Sequence, residues 1–156
     1  MDQIVLKTEI KYAKSVGELS EAQRFAIEKA IKIAQNAYAP YSRYNVGAAI
    51  ELENGEIIAG SNQENASFPA GTCAERSALF YAGSNYPNIK IIRVAVTTLF
   101  PTEKPVAPCG ICRQALMEYE VRQGSPIELL MTHPKGGVYI SESISNILPL
   151  GFRFKQ

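Results

Sequence analysis

The strongest constraint on the fold is the alternation of helix-forming and strand-forming segments in the second half of the chain. Residues 73–82 and 109–119 are rich in helix formers, whereas residues 91–97 form an apolar, β-branched run and residues 127–132 are again strand-like. Strands separated by helices in this way are usually parallel neighbours joined by right-handed crossovers. The alternation therefore predicts an α/β fold with parallel neighbours in its sheet.

The segment before this alternation predicts one amphipathic helix. Ser20 and Gln23 have the spacing of a capping box, which marks a helix start. Apolar residues then recur at helical intervals as far as Ala37, and Pro40 ends the pattern. We expect a helix over roughly residues 20–37.

A β-hairpin is predicted next. Residues 46–52 and 56–60 are short strand-like runs joined through Asn54-Gly55, a strong signal for a two-residue hairpin turn. The two runs are therefore expected to pair in the antiparallel sense.

The predicted elements together indicate a three-layer α/β/α sandwich. A turn over residues 134–137 leads to a fifth strand over residues 138–140 and to a short helix near residues 143–148. The sheet is expected to be mixed and five-stranded, with helices on both faces. No linker or repeat divides the chain, so residues 20–156 are assigned to a single domain, preceded by an N-terminal extension over residues 1–19.

Charge and hydropathy disfavour several classes of partner. The chain has 16 Lys and Arg residues against 15 Asp and Glu residues, so it lacks the basic excess that binds a phosphate backbone, and nucleic acid is not an expected partner. The first four residues lack the features of a secretory signal, and no segment is long and apolar enough to cross a membrane. We therefore expect a cytoplasmic protein without a membrane partner.

Three cysteines form the most informative chemical pattern. Their odd number rules out a closed set of disulfides. Cys73 begins one predicted helix, and Cys109 and Cys112 begin another. The start of a helix stabilises negative charge and lowers the pKa of a thiol, so two adjacent helix starts can hold three thiolates around a metal. Three thiolates on Zn²⁺ leave the fourth tetrahedral position open for water, which is typical of a catalytic site.

Glu75 completes a known chemical pattern. It lies two residues after Cys73, and the other two cysteines belong to a Pro-Cys-x-x-Cys segment that begins at Pro108. Zinc deaminases share this pattern, and in them the glutamate handles protons without binding the metal. We expect the Glu75 carboxylate to face the open side of the metal, where it can take a proton from the bound water and deliver it to the substrate.

Two other interpretations of the cysteines are weighed against this one. A Cys-x-x-Cys pair also occurs in redox sites, although a redox pair leaves Cys73 and Glu75 unexplained. A structural zinc site needs a fourth ligand, for which His133 is the candidate. His133 follows a predicted strand within a turn, so we expect it instead to be an exposed loop residue.

The chain resembles the cytidine deaminase family, specifically its small homotetrameric branch with three cysteine ligands, from about residue 39 to residue 152. The resemblance rests on five motifs in order, which are PYSRYNVGAA at 40–49, GSNQENA at 60–66, CAER at 73–76, PCGICRQ at 108–114 and LP at 148–149. It implies hydrolytic deamination of cytidine and deoxycytidine in pyrimidine salvage.

The resemblance also implies roles at the metal. Cys73, Cys109 and Cys112 are then the zinc ligands, and Glu75 is the proton shuttle. Arg76 matches an arginine that hydrogen-bonds the cysteine sulfurs. Three thiolates and one Zn²⁺ sum to one negative charge, which a nearby guanidinium partly offsets.

Five positions are implied in binding the nucleoside. Asn62 and Glu64 match the pair that grips the ribose 3′-hydroxyl, and an amide with a carboxylate can serve a hydroxyl as donor and acceptor. Tyr44 stands where the family usually has a Phe that packs on the pyrimidine. The backbone carbonyls of Ala74 and Ala107 match positions that recognise the amino group and ring edge of the base.

Two phenylalanines complete the implied site. Phe68 replaces a frequent family Tyr. Phe152 matches a residue that closes over the pyrimidine bound to another subunit of a homotetramer. The ending after Phe152 lacks the Gly-Pro that often follows in the family, so the resemblance leaves the contacts of the tail undefined.

Other functions remain as alternatives. A deaminase of the same fold acts in some cases on another amine, such as a blasticidin-type drug, a free base, a deoxycytidylate or a base within RNA. Asn62 and Glu64 favour a nucleoside, because a carboxylate near the sugar repels a 5′-phosphate, and the low net charge argues against a nucleic acid. A zinc-stabilised interaction module is the alternative without catalysis.

Overall fold

The structure is a computed structural model that describes residues 1–154. None of the helices in this range has the length and apolar character needed to span a membrane. In chain order the main elements are β1 (Lys11–Ala13), α1 (Glu21–Ala34), β2 (Val46–Leu52), β3 (Ile57–Ser61), α2 (Ala74–Asn85), β4 (Ile91–Thr98), α3 (Gly110–Gln123), β5 (Glu128–Thr132) and β6 (Val138–Ser141). Short 3₁₀ helices cover Val16–Glu18, Phe68–Ala70 and Ile144–Ile147.

The strands form one mixed sheet in the order β1-β6-β5-β4-β2-β3. Only β4 and β5 pair in parallel, and each other neighbouring pair among the described strands is antiparallel. The predicted parallel neighbours are therefore confirmed at β4 and β5 alone. β3 and β4 run in the same direction, but β2 lies between them. Residues 47–50 of β2 are all buried, as expected of a central strand, whereas β3 is a partly exposed edge strand.

Helices cover both faces of this sheet, which confirms the predicted three-layer sandwich. α1 packs on one face through alanines at helical spacing, while α2 and α3 pack on the other around a larger apolar core. Gly47 allows α1 to approach β2 closely, because a Cβ atom at this position would lie 2.0 Å from the carbonyl oxygen of Ala30.

The sheet has six strands rather than the predicted five. The additional strand is β1, which lies within the N-terminal extension and pairs antiparallel with β6. Ala13 is buried with Leu19 in the core beneath α1. The sequence does not reveal β1, because a three-residue strand with two exposed side chains shows no alternation that periodicity can detect.

Two local sequence signals, the capping box of α1 and the Asn54-Gly55 turn, are present in the structure where they were predicted. The capping box of α1 is present, since Gln23 N donates to Ser20 Oγ at 3.3 Å and Ser20 N donates to Gln23 Oε1 at 3.0 Å. α1 ends at Ala34, three residues earlier than predicted. The hairpin turn between β2 and β3 has Gly55 at φ 86°, a conformation that favours glycine.

Candidate active site

Two helices begin side by side and bring the three cysteines together. Cys73 precedes the first residue of α2, Cys109 precedes the first residue of α3, and Cys112 lies in the first turn of α3. Their Sγ atoms all lie within 4.8 Å of one another, and those of Cys73 and Cys109 are 4.0 Å apart. Three sulfurs bound tetrahedrally to one zinc at about 2.3 Å would lie about 3.8 Å apart. The donor set and its spacing therefore fit Zn²⁺.

The surroundings favour a thiolate at Cys73 and a protonated thiol at Cys112. The hydrogen bond with Cys112 lowers the pKa of the Cys73 thiol to about 5, and Arg76, whose Nη2 lies 3.9 Å from Cys73 Sγ, acts in the same direction. The same hydrogen bond and burial raise the pKa of Cys112. Cys73 therefore ionises more readily than Cys112.

Glu75 lies in the first turn of α2 and is only 4% exposed. Burial raises the pKa of its carboxyl, and the negative charge of Cys73 adds to this effect. A carboxyl with a raised pKa holds and releases a proton more readily near neutral pH than an exposed glutamate does. Glu75 thus has the environment of a general acid and base beside the sulfur cluster.

A depression of about 370 Å³ opens beside Cys73. Three other residues singled out from the sequence line it, namely Asn62, Glu64 and Phe68. Tyr41 also lines it, and its ring meets Phe68 edge-on with the ring centroids 5.9 Å apart. Tyr41 belongs to the motif at residues 40–49, but the resemblance implies no role for it. Nothing in its local sequence indicates that its ring contacts Phe68, which lies 27 residues further along the chain.

Within residues 1–154, this depression is not lined by the other candidate substrate-binding residues, which are Tyr44, Ala74, Ala107 and Phe152. The ring of Tyr44 packs on Phe100 with centroids 5.2 Å apart. Ala107 is exposed in the loop before α3, and Phe152 is 67% exposed in the C-terminal tail.

Ala74 lies at the start of α2, next to Cys73. It is the first residue of α2, so its carbonyl accepts a hydrogen bond within the helix. Its N–H is one of the first four of the helix, which have no partner inside it. A carbonyl oxygen has two lone pairs, so the expected contact of the Ala74 carbonyl with the base stays a prediction.

Asn62 and Glu64 are held by the backbone of the preceding loop. Asn62 Oδ1 accepts from Val46 N at 2.8 Å, and its Nδ2 donates to the carbonyl of Tyr44 at 2.9 Å. Glu64 accepts hydrogen bonds from the Ser42 hydroxyl and from Tyr41 N, which lower the pKa of its carboxyl. One N–H of Asn62 and further lone pairs of Glu64 stay free for a ligand.

His133 is buried, so the expectation of an exposed loop residue is wrong, and the alternative role as a fourth zinc ligand is not supported either. It is 7% exposed, and it is not among the residues that converge in the sulfur cluster. Gly137 N donates to its Nε2 at 3.3 Å, and its Nδ1 lies 3.2 Å from the carbonyl of Thr102. These contacts tie the β5–β6 turn to the loop before α3.

Comparison with known proteins identifies a consistent set of relatives. The family model described as the cytidine and deoxycytidylate deaminase zinc-binding region matches residues 20–124. The chain is 44% identical over 96 residues to a cytidine deaminase of Halalkalibacterium halodurans, covering 62% of this chain and 70% of the relative. It is 36% identical over 126 residues to a cytidine deaminase of Sporosarcina psychrophila, covering 81% of this chain and 88% of the relative.

Solved structures agree with these relatives. The crystal structure of cytidine deaminase from Burkholderia pseudomallei superposes with a TM-score of 0.74 at 36% identity, over 86% of this chain and all of that one. That of cytidine deaminase from Mycobacterium tuberculosis superposes with a TM-score of 0.67 at 28% identity, over 86% of this chain and all of that one.

Proposed function

This chain belongs to the cytidine and deoxycytidylate deaminase family, and we propose that it hydrolyses cytidine and deoxycytidine to uridine and deoxyuridine with release of ammonia. The observation that carries the proposal is the meeting of three thiols at two helix starts with a buried carboxyl, Glu75, beside them. The same proposal assigns the enzyme to pyrimidine salvage in the cytoplasm.

The metal in this proposal is one Zn²⁺ held by Cys73, Cys109 and Cys112. When bound by three thiolates, zinc lowers the pKa of a water molecule in its fourth position and so supplies a nucleophile at neutral pH. Arg76 stays close to Cys73 and offsets part of the negative charge of the thiolates.

Glu75 moves the protons of the reaction. Its carboxylate accepts a proton from the attacking water and donates it to the ring nitrogen next to C4 of the pyrimidine. It then passes the second proton to the amino group, which leaves as ammonia while C4 gains oxygen. Burial supports this role, because it keeps the pKa of the carboxyl above that of an exposed glutamate.

The nucleoside is bound beside Cys73. Asn62 and Glu64 contact the ribose hydroxyl as donor and acceptor, and Phe68 provides an aromatic wall of the depression. We assign Tyr44 to the pyrimidine face, and the backbone carbonyls of Ala74 and Ala107 to the amino group and ring edge of the base.

We further propose that residues 20–156 act as one domain and that the active form is a homotetramer in which Phe152 closes the site of another subunit. The exposed apolar side chains of the tail support this arrangement, since Leu150, Phe152 and Phe154 are each more than two-thirds exposed in the single chain. Such an apolar ending is rarely left in water without a partner.

A substrate panel tests the proposed function. Turnover of cytidine, deoxycytidine, cytosine and deoxycytidylate is followed by ultraviolet absorbance, for the parent and for Asn62→Ala. We expect the two nucleosides to be turned over far faster than cytosine. Asn62→Ala is expected to raise KM for cytidine and lower kcat, because the ribose contact positions the ring. Equal efficiency on cytosine and cytidine would favour a free-base deaminase, and turnover only of deoxycytidylate or a blasticidin-type drug would favour another amine.

A further inference from the structure

The C-terminal tail is attached to α3 by a paired hydrogen bond. Gln114 Nε2 donates to the carbonyl of Phe152 at 2.9 Å, and Phe152 N donates to Gln114 Oε1 at 3.1 Å. One side-chain amide thereby satisfies both backbone groups of a single residue. This fixes the position and the direction of the Phe152 backbone.

The tail needs such an attachment. Leu150, two residues earlier, has φ 59°, in the left-handed region that residues other than glycine rarely adopt. Arg113 Nη1 also donates to the carbonyl of Ile147 at 2.8 Å, and Gly151 N donates to that of Leu148 at 3.1 Å. These contacts hold the chain as far as residue 151, and the Gln114 pair holds the next residue.

The attachment point lies on a different side of α3 from Cys112. Gln114 follows Cys112 by two residues on α3, which separates their side chains by roughly 200° around the helix axis. Cys112 is buried against the core, and Gln114 lies on the side that also carries the exposed Ile111 and Val121. Phe152 is 67% exposed where Gln114 holds its backbone, so its ring is accessible to a second copy of the chain.

From this geometry we infer that Gln114 is a positioning residue, which presents Phe152 to the nucleoside site of a second copy of the chain. The inference rests on the role proposed above for Phe152. It adds the residue that fixes the approach of that ring to the substrate.

A matched control exists on the same helix. Near the end of α3, Gln123 makes the same paired contact with Ile91, accepting from Ile91 N at 3.0 Å and donating to its carbonyl at 2.9 Å. This second pair lies at the opposite end of α3 from the cysteines. Gln114→Met and Gln123→Met thus each remove a paired contact at one end of the same helix. Gln123→Met also removes the contacts of Gln123 Nε2 with Ser125 O at 3.0 Å and Ser125 Oγ at 3.2 Å, so it is the more disruptive of the two.

The test is a double-mutant cycle with zinc-loaded protein. Gln114→Met is expected to lower kcat/KM for cytidine about tenfold, the effect of losing two hydrogen bonds, with the change mainly in KM. In a Phe152→Ala background the same substitution should change kcat/KM less than about twofold, because no ring remains to be positioned. Gln123→Met should leave kcat/KM at the parental value. If Gln114→Met does not fold, Gln114→Glu takes its place, since it loses the donor to the Phe152 carbonyl.

Hydrogen exchange of backbone amides provides a readout that does not depend on activity. The Phe152 amide should exchange about tenfold faster in Gln114→Met than in the parent or in Gln123→Met. An equal loss of kcat/KM in both backgrounds, or unchanged exchange at Phe152, would overturn the positioning role. If Phe152→Ala has the same activity as the parent, Phe152 has no role in the site. The positioning role of Gln114 then fails as well.

Discussion

At the scale of single residues, the chemistry depends on a few side chains whose types are visible in the sequence and whose environments are not. The spacing of Cys73, Cys109 and Cys112 predicts a metal cluster, and the structure brings these three sulfurs together. Burial of Glu75 and of His133 could not be predicted, because it depends on how loops and helices from distant parts of the chain pack around them. His133, expected in solvent, holds two loops instead.

Glu75→Gln tests the assignment of the proton shuttle. The substitution keeps the shape of the side chain but removes its ability to exchange protons, so kcat for cytidine should fall by at least ~10²- to 10⁴-fold. Zinc content and the thermal midpoint should stay close to those of the parent. Glu118→Gln on the exposed side of α3 serves as the control. Turnover by Glu75→Gln within a few-fold of the parent would assign proton transfer to another group.

At the scale of elements, the predicted helices and strands are present, and the main differences concern how strands are arranged. Local signals such as the Ser20 capping box and the Asn54-Gly55 turn are short in sequence, so they can be predicted. The insertion of β2 between β3 and β4 depends on pairings between distant strands, and the alternation of segments does not specify it. The short strand β1 depends on the exposed edge of β6 and has no pattern of its own.

Glu120 joins three elements and should make stability depend on pH. Its buried carboxylate accepts hydrogen bonds from Ile127 N at 2.8 Å, from Ile144 N at 2.9 Å and from the Ser143 hydroxyl at 2.7 Å. Burial alone would raise the pKa of Glu120, but these hydrogen bonds outweigh it and lower the pKa. Its stabilising contribution is therefore present at neutral pH and is lost as the pH falls through the lowered pKa.

Glu120→Gln should lower the free energy of unfolding by about 1–3 kcal/mol at pH 7, because buried donors lose a charged acceptor. Chemical denaturation of the parent and the variant, measured from pH 7 downwards, should show the difference shrink as the parental carboxyl takes up its proton. Glu118→Gln is the matched control, with little expected effect. A difference that stays constant down to low pH would mean that the carboxylate charge is not the stabilising feature.

At the scale of the whole molecule, the proposed homotetramer predicts that a single chain presents an incomplete site. The cysteine cluster, Glu75 and the depression beside Cys73 lie together, whereas Phe152 is exposed on the tail. Mixing subunits tests whether a second chain completes the site. Cys73→Ala and Phe152→Ala are each expected to impair activity, but a mixed assembly can combine the metal site of one with the Phe152 of the other.

Activity of the mixture above the sum of the two separate variants is the expected result. Exchange of subunits is verified by labelling the two variants differently. Sedimentation of the protein as a monomer, or verified mixing without recovery, would mean that each chain builds its site alone.

The most direct test of the whole account is to measure zinc content and cytidine turnover in one freshly purified sample, then again after removal and return of the metal. The account predicts one tightly bound zinc per chain, three thiols protected from titration, and loss of cytidine absorbance that stops without zinc and resumes with it. Three freely titrating thiols with no zinc retained, or a zinc-loaded protein that leaves cytidine unchanged, would contradict it.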